Sequence, residues 1–239
     1  MRHLAATAST LLMLGSTAIA ADLSRPVFKP GPPPPMMQNW SGFYLGLNAG
    51  GGIGHGSSDL SVAGGPAIVT IDNSLTGAIG GGQVGFNWQA GAAVFGVETD
   101  FQASGLEGTL TAPCLPGLCA SYSQKVTWFG TARGRIGYAA DGWLLYATGG
   151  YAYARLDTDA TATAGPATAT FTLRDTRNGW TVGTGVEVQF ASRWSAKLEY
   201  LYLDFGRDSS SWVSPGLATV NDDAHFNMNV VRGGVNYRF

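Results

Sequence analysis

Ala93-Val94-Phe95-Gly96-Val97-Glu98-Thr99-Asp100-Phe101 is the stretch that decides the fold. Ala93, Phe95, Val97 and Phe101 occupy one parity, and Glu98 and Asp100 the other. A side-chain period of two belongs to a strand, whose successive residues point to opposite faces; a helix would gather its apolar residues at a period of 3.6. One face of this strand is made for an apolar medium. The other carries two carboxylates two positions apart, so both faces have a defined environment.

Working outward, the same alternation recurs until eight strands are counted. The apolar set of the first is Phe43, Leu45, Leu47 and Ala49, and of the second Ala78, Gly80, Gly82, Val84, Phe86 and Trp88. The fourth gives Val126, Trp128, Ala132, Ile136 and Tyr138, and the fifth Trp143, Leu145, Ala147, Tyr151 and Tyr153. The sixth gives Trp180, Val182, Val186, Val188 and Phe190, and the seventh Ala196, Leu198, Tyr200 and Tyr202. The eighth closes the chain with Val231, Val235, Tyr237 and Phe239. The opposite parity holds Asn48, Gln83, Asn87, Glu98, Asp100, Arg133, Arg135, Thr148, Glu187, Gln189, Lys197, Glu199, Arg232 and Arg238. Strands three, four, seven and eight each carry a pair of polar-face charges.

The connections alternate in length. Gln89–Ala92, Ala139–Gly142 and Ala191–Ser195 are tight turns. Gly54–Leu75, Gly105–Gln124, Asp157–Thr176 and Gly206–Phe226 are each about twenty residues, unusually long for four structureless loops in a compact soluble domain. Tryptophans gather at two levels, Trp40, Trp88, Trp143 and Trp194 towards the tight turns and Trp128 and Trp180 towards the long connections. Indole favours membrane–water interfaces, so two levels suggest two aromatic girdles. Together these features predict an all-β fold: an eight-stranded antiparallel up-and-down transmembrane β-barrel with long extracellular loops and short periplasmic turns. Closure requires strand one to pair with strand eight, because lipid cannot satisfy an open sheet edge.

Composition agrees. Glycine is 35 of 239 residues and charged residues are only 13%, which excludes a coiled coil or a charge-rich disordered chain. The net charge of −2 supplies no basic footprint for nucleic acid. Met1–Ala20 has the form of a signal peptide: Arg2, an uncharged apolar stretch, and Ala18-Ile19-Ala20 as the cleavage site. Residues 21–39, with Pro26, Pro30 and Pro32–Pro35, read as a stiff periplasmic tether. Residues 40–239 remain for the barrel.

Several sequence blocks resemble the small outer-membrane β-barrel surface-antigen family related to the transmembrane domain of OmpA. They are Trp40-Ser41-Gly42-Phe43-Tyr44, Gly81-Gly82-Gln83-Val84-Gly85-Phe86-Asn87-Trp88 and Phe95-Gly96-Val97-Glu98-Thr99-Asp100, with Gly134-Arg135-Ile136-Gly137-Tyr138 and Ala196-Lys197-Leu198-Glu199-Tyr200. The ending, Tyr237 and terminal Phe239, resembles the signal read by the barrel-assembly machinery. The resemblance implies a Gram-negative outer-membrane location, contact with lipid and lipopolysaccharide, and no peptidoglycan-binding domain after Phe239. It also implies a role as a surface antigen, an envelope-integrity protein, a small porin or a hemin binder.

Chemistry-bearing residues are few. Gly80–Gly85 fits G-x-G-x-x-G but opens no helix in a βαβ unit, so nucleotide binding is not expected. Cys114 and Cys119 flank Pro116-Gly117; an oxidising compartment favours a disulfide there over a metal site, since that loop has no histidine. His55 and His225 fall near the rim of neighbouring strands, with Asp222 and Asp223 close by. They are candidates for a hemin or divalent-metal contact, although solvated rim side chains are the plainer reading. Ser209–Ser211 are not fixed against any base, and no enzyme activity, cofactor or nucleic-acid partner is expected. The remaining candidates are the lumen charges: Glu98, Asp100, Arg133, Arg135, Glu187, Lys197, Glu199, Arg232 and Arg238. Pairs of similar depth are Glu98 with Arg133, Glu187 with Lys197, and Glu199 with Arg232. An ion network of this kind would close the barrel and make the protein a monomeric structural and surface-exposed element. A small diffusion pore is the main alternative, and ligand binding through His55 and His225 the second.

Overall fold

The computed structural model describes residues 39–62, 65, 67–111, 118–164, 166–213 and 219–239. Eight strands follow in order: β1 (Gly42–Val62), β2 (Ala67–Ala90), β3 (Ala93–Thr111), β4 (Leu118–Ala140), β5 (Trp143–Ala164), β6 (Ala167–Ala191), β7 (Trp194–Val213) and β8 (Thr219–Arg238). Each pairs antiparallel with the next, and β1 pairs with β8 from Tyr44↔Arg238 to Val62↔Val220, closing the barrel. The expected leader (1–20) and tether (21–39) lie outside the described residues except for Asn39.

Tight turns join β2–β3, β4–β5 and β6–β7. At the second, Asp141 and Gly142 have φ of 47° and 84°. Two positive-φ residues match the right-handed twist of the flanking strands, and Asp-Gly is a pair that tolerates them. The outer wall is apolar as the alternation demands: Leu47 is 74% exposed, with Phe43, Leu45, Val97, Ile136, Leu145, Leu198 and Val231 also open to the outside. A continuous belt of this kind fits hydrocarbon and not water. Trp88, Trp143 and Trp194 edge it near the turns, and Trp180, Tyr151 and Tyr200 on the other side. There Trp128 lies against Phe101 and Tyr153, with ring centroids 5.6 and 5.9 Å away.

Three expectations are corrected. First, the segments read as long loops are strand over most of their length. β5 and β6 pair without interruption from Trp143↔Val188 to Ala164↔Ala167. The sequence there alternates Thr and Ala. Threonine suits a strand whether or not a bilayer is present, so the strands run past the end of the apolar membrane face. Cross-strand hydroxyl contacts, Thr161–Thr170 at 3.2 Å and Thr163–Thr168 at 3.3 Å, accompany the extension. Second, Val126 faces inward and is fully buried. The register shifts between Val126 and Trp128, and one extra residue reverses the parity beyond it. Third, Trp40 belongs to no girdle. It is 1% exposed and plugs the barrel floor, its backbone N–H donating to Gln89 Oε1 at 2.6 Å.

Beyond the membrane belt, the wall separates into two four-stranded sheets, β7-β8-β1-β2 and β3-β4-β5-β6. The β6–β7 ladder ends at Trp180↔Asp204 and the β2–β3 ladder at Thr76↔Glu107, whereas the other six ladders continue.

Candidate functional site

The interior is filled in three tiers. At the floor, Trp40 packs with Val94, Leu144 and Tyr146. Arg238, expected in the lumen network, stands here instead: its guanidinium lies over the Trp40 ring at 4.9 Å and donates to the Asn39 carbonyl. The last residue pair of the barrel sits below the charged tier, which puts Arg238 beyond its carboxylates.

The middle tier is the ion cluster. Glu98 and Arg133 are direct cross-strand partners and form an ion pair, as expected. Arg133 also reaches Asp100 at 3.0 Å and Glu199 at 3.1 Å. Arg232 binds Glu199 at 2.6 Å and Asp100 at 3.0 Å, confirming the expected Glu199–Arg232 contact. Glu187 and Lys197 are cross-strand partners too, but their side chains diverge. Lys197 Nζ lies 3.2 Å from Glu98 and 3.8 Å from Glu199, while Glu187 takes Arg135 at 3.0 Å. Lysine's length lets it reach the richer group of carboxylates at the centre. Four anions (Glu98, Asp100, Glu187 and Glu199) thus meet four cations (Arg133, Arg135, Lys197 and Arg232), and all eight are buried. Ions removed from water are tolerable only when paired, and each of the eight is ion-paired here, while Arg133 Nε, Arg135 Nε and Arg232 Nη1 are buried without a hydrogen-bond partner among the described residues.

Neutral side chains complete the carboxylate contacts. Tyr44 Oη donates to Glu98 at 2.7 Å, Tyr146 Oη to Glu199 at 3.0 Å, and Thr131 Oγ1 to Asp100 at 2.6 Å. Ser195 Oγ and Asn236 Nδ2 donate to Glu187 at 2.5 and 2.8 Å. The Arg135 guanidinium lies 5.3 Å from the Tyr44 ring and 4.5 Å from that of Tyr146. Sequence reasoning passed over both tyrosines. A signal was present in the glycines opposite them: Tyr44 pairs with Gly85, and Tyr146 with Gly185. A Cβ on Gly85 would sit 2.3 Å from Tyr44 Oη, so the tyrosine can cross the lumen only over a glycine.

The upper tier was not foreseen. Fourteen buried residues form one apolar cluster, among them Leu75, Leu106, Phe129, Leu156, Leu203, Phe205, Phe226 and Met228. The lumen charges therefore lie between two apolar layers.

The other candidates are dispersed. His55 and His225 lie on adjacent strands two residues out of step, His55 opposite Asn227 and His225 opposite Ser57. His225 Nε2 is 3.3 Å from Asp204 Oδ1, and His55 is exposed. Among the described residues, no group of three or more His, Cys, Asp or Glu side chains has the arrangement of a metal site. Gly80–Gly85 is mid-strand in β2. The expected Cys114–Cys119 disulfide lies outside the described residues, which include only the backbone of Cys119. Phe239 is exposed, edge-on to Tyr237 at 5.2 Å, and its N–H donates to the Phe43 carbonyl at 3.0 Å.

A closed eight-stranded barrel with an apolar exterior and a filled interior defines an outer-membrane β-barrel protein. The sequence matches the family described as "Outer membrane protein beta-barrel domain" over residues 8–239, and the chain belongs to that family. It is 36% identical to the 31 kDa outer-membrane immunogenic protein of Brucella melitensis, over 97% of this chain and 98% of that protein. Among solved structures, it resembles OprG from Pseudomonas aeruginosa, with a TM-score of 0.52 at 13% identity, over 85% of this chain and 100% of the other. It also resembles the outer-membrane protease OmpT from Escherichia coli, with a TM-score of 0.50 at 9% identity, over 83% and 97%. At such identities these two structures speak to fold alone. The protein is located in the outer membrane.

Proposed function

We propose that this protein is a sealed structural barrel that supports the envelope and displays its four long hairpins outside the cell, with the tight turns in the periplasm. One observation carries the reading: the neutral cluster of eight buried charges is held between the Trp40 floor and the fourteen-residue apolar tier. An ion entering the lumen would have to displace packed apolar side chains and then break multiply bonded ion pairs. An eight-stranded barrel is only wide enough to be filled by side chains, which agrees with such closure. The immunogenic relative supports surface display. Among the described residues, the lumen hydroxyls that meet carboxylates, Ser195 on Glu187 and Thr131 on Asp100, are buried within the charged tier and out of reach of a substrate, which supports a non-enzymatic reading.

Two experiments test it. Proteoliposomes containing the purified protein should not swell faster in arabinose than empty liposomes; rapid swelling would establish a pore. On intact cells lacking Cys114 and Cys119, Ala167→Cys at the β5–β6 tip should react with an impermeant maleimide. Labelling confined to lysed cells would reverse the orientation.

A further inference from the structure

The two seams that divide the upper wall are built alike. At each, the second strand carries a bulge. On β3 it lies between Ala103 and Leu106, where Ser104 Oγ accepts the Leu106 N–H at 3.2 Å. On β7 it lies between Asp204 and Arg207, where Asp204 Oδ1 accepts the Gly206 N–H at 2.7 Å. Gly77 on β2 and Gly179 on β6 abut these bulges so closely that neither could carry a Cβ, so the strands touch there and then part. Beyond the seams, β7 is bent by Gly206 at a φ of 70°, and the free stretch of β3, Gly108–Thr111, is short. β6 keeps the longest free edge, from Gly179 out to Ala167, with no proline, lysine or bulge to blunt it. Its inward charges, Asp175 and Arg177, stand near the seam's base and lie 3.5 Å apart. One contact fixes which backbone groups line this edge. The Gln189 N–H donates to the Gly142 carbonyl on the β5 side at 2.9 Å. Bonding direction alternates along a strand, and β5 and β6 pair without a shift from Trp143↔Val188 to Ala164↔Ala167. Odd-numbered residues of β6 therefore bond to β5. Thr168, Thr170, Thr172, Arg174, Thr176 and Asn178 turn N–H and carbonyl to the seam, past the end of the β6–β7 ladder at Trp180↔Asp204. On the inner face Leu173, two residues from the partner of buried Leu156, is 69% exposed.

We propose that the seam edge of β6 is a docking site for an extended segment of another polypeptide, added outside the cell as an antiparallel strand; this rests on the orientation proposed above. The chemistry of the edge names the class of partner. A row of N–H and carbonyl groups at alternate residues is matched group for group by a second extended backbone, and strand addition draws its affinity from those bonds. Side chains set the pattern the guest must carry. Its inward residues meet Leu173 and gain by being apolar, whereas its outward residues lie beside Thr172, Arg174 and Thr176 and stay polar. A second copy of this chain fits less well. Two barrels in one membrane are related by an axis along its normal. That axis sets their β6 edges parallel and turns the two Leu173 side chains to opposite faces of the joint sheet. A guest from a separate chain is free to run antiparallel, the more stable pairing, and to cover Leu173.

The test titrates the purified full barrel in detergent micelles with a fluorescent peptide of alternating valine and threonine, about seven residues long, and reads anisotropy against empty micelles. The peptide should bind. The same peptide N-methylated at alternate amides, which keeps its side chains but removes the donors facing the edge, should bind at least about tenfold more weakly. Thr176→Pro removes a seam-facing N–H without touching the β5 ladder and should also weaken binding about tenfold. Thr176→Val keeps the backbone group and should stay within about twofold, while Leu173→Ser should weaken binding about fivefold. No binding, equal binding of the N-methylated peptide, or full binding by Thr176→Pro would each overturn the site. If Thr176→Pro does not fold, the N-methylated peptide still decides on the wild type. Concentration-dependent dimers of the barrel that Thr176→Pro abolishes would overturn it in favour of self-pairing. The maleimide assay at Ala167→Cys separates the two readings. Labelled intact cells with no peptide binding reject the edge alone, whereas peptide binding with labelling confined to lysed cells rejects the orientation.

Discussion

The middle and upper tiers of the lumen close the same cylinder by different physics. The upper tier excludes water with Leu75, Leu106, Phe129, Leu203 and Phe226, where any side chain of similar volume would serve. The middle tier depends on complete pairing. Arg133 touches three carboxylates, and its removal leaves four buried anions sharing three cations. An apolar layer degrades gradually when trimmed, and a buried ion cluster fails at its weakest unmatched member. Stacking the two keeps bulk water from the charges and leaves the apolar layer supported by a rigid base.

Substitutions in the two tiers should therefore behave differently. Arg133→Ala should destabilise the barrel by about 3–5 kcal/mol in equilibrium unfolding, the range for orphaning a buried ion. Glu98→Ala added to it should cost much less than it does alone, because it removes the excess anion and leaves three anions with three cations. Leu203→Ala should cost about 2–4 kcal/mol and show no coupling to Glu98→Ala. Strong coupling between them would mean that the tiers are one unit. Gly85→Ala should cost about 1–3 kcal/mol by pushing Tyr44 away from Glu98. Tyr44→Phe in the same background should show whether the lost hydroxyl contact or the crowding dominates. Outside both tiers, Thr161→Ala should cost only about 0.2–1 kcal/mol, the scale of a cross-strand pair.

The strand count, the closure and the lumen charges were legible because each depends on local alternation. Glu98 and Asp100 beside Phe95 and Val97 declare two faces within one short segment. What escaped depended on neighbours distant in sequence. Alternation puts Tyr44 and Tyr146 on the lumen parity, but their reach across to Glu98 and Glu199 depends on Gly85 and Gly185 on the next strand. The upper tier was hidden because both faces are apolar there: Tyr200 and Tyr202 point out while Leu201 and Leu203 point in, so period two gives no contrast. Val126 was misplaced because the shift before Trp128 leaves no signature in composition. The Thr/Ala strands were read as loops because their outer face meets water. Trp40, as an indole near an interface, had two destinations that sequence does not separate.

The claim that both tiers shut the lumen is tested most directly by single-channel recording of the wild-type barrel in planar bilayers. The account predicts no steady conductance in concentrated salt, with at most brief flickers, and a measurable leak once Arg133→Ala leaves the charged tier unmatched. A steady wild-type conductance, unchanged by Arg133→Ala and Leu203→Ala, would contradict it and show that ions bypass both layers.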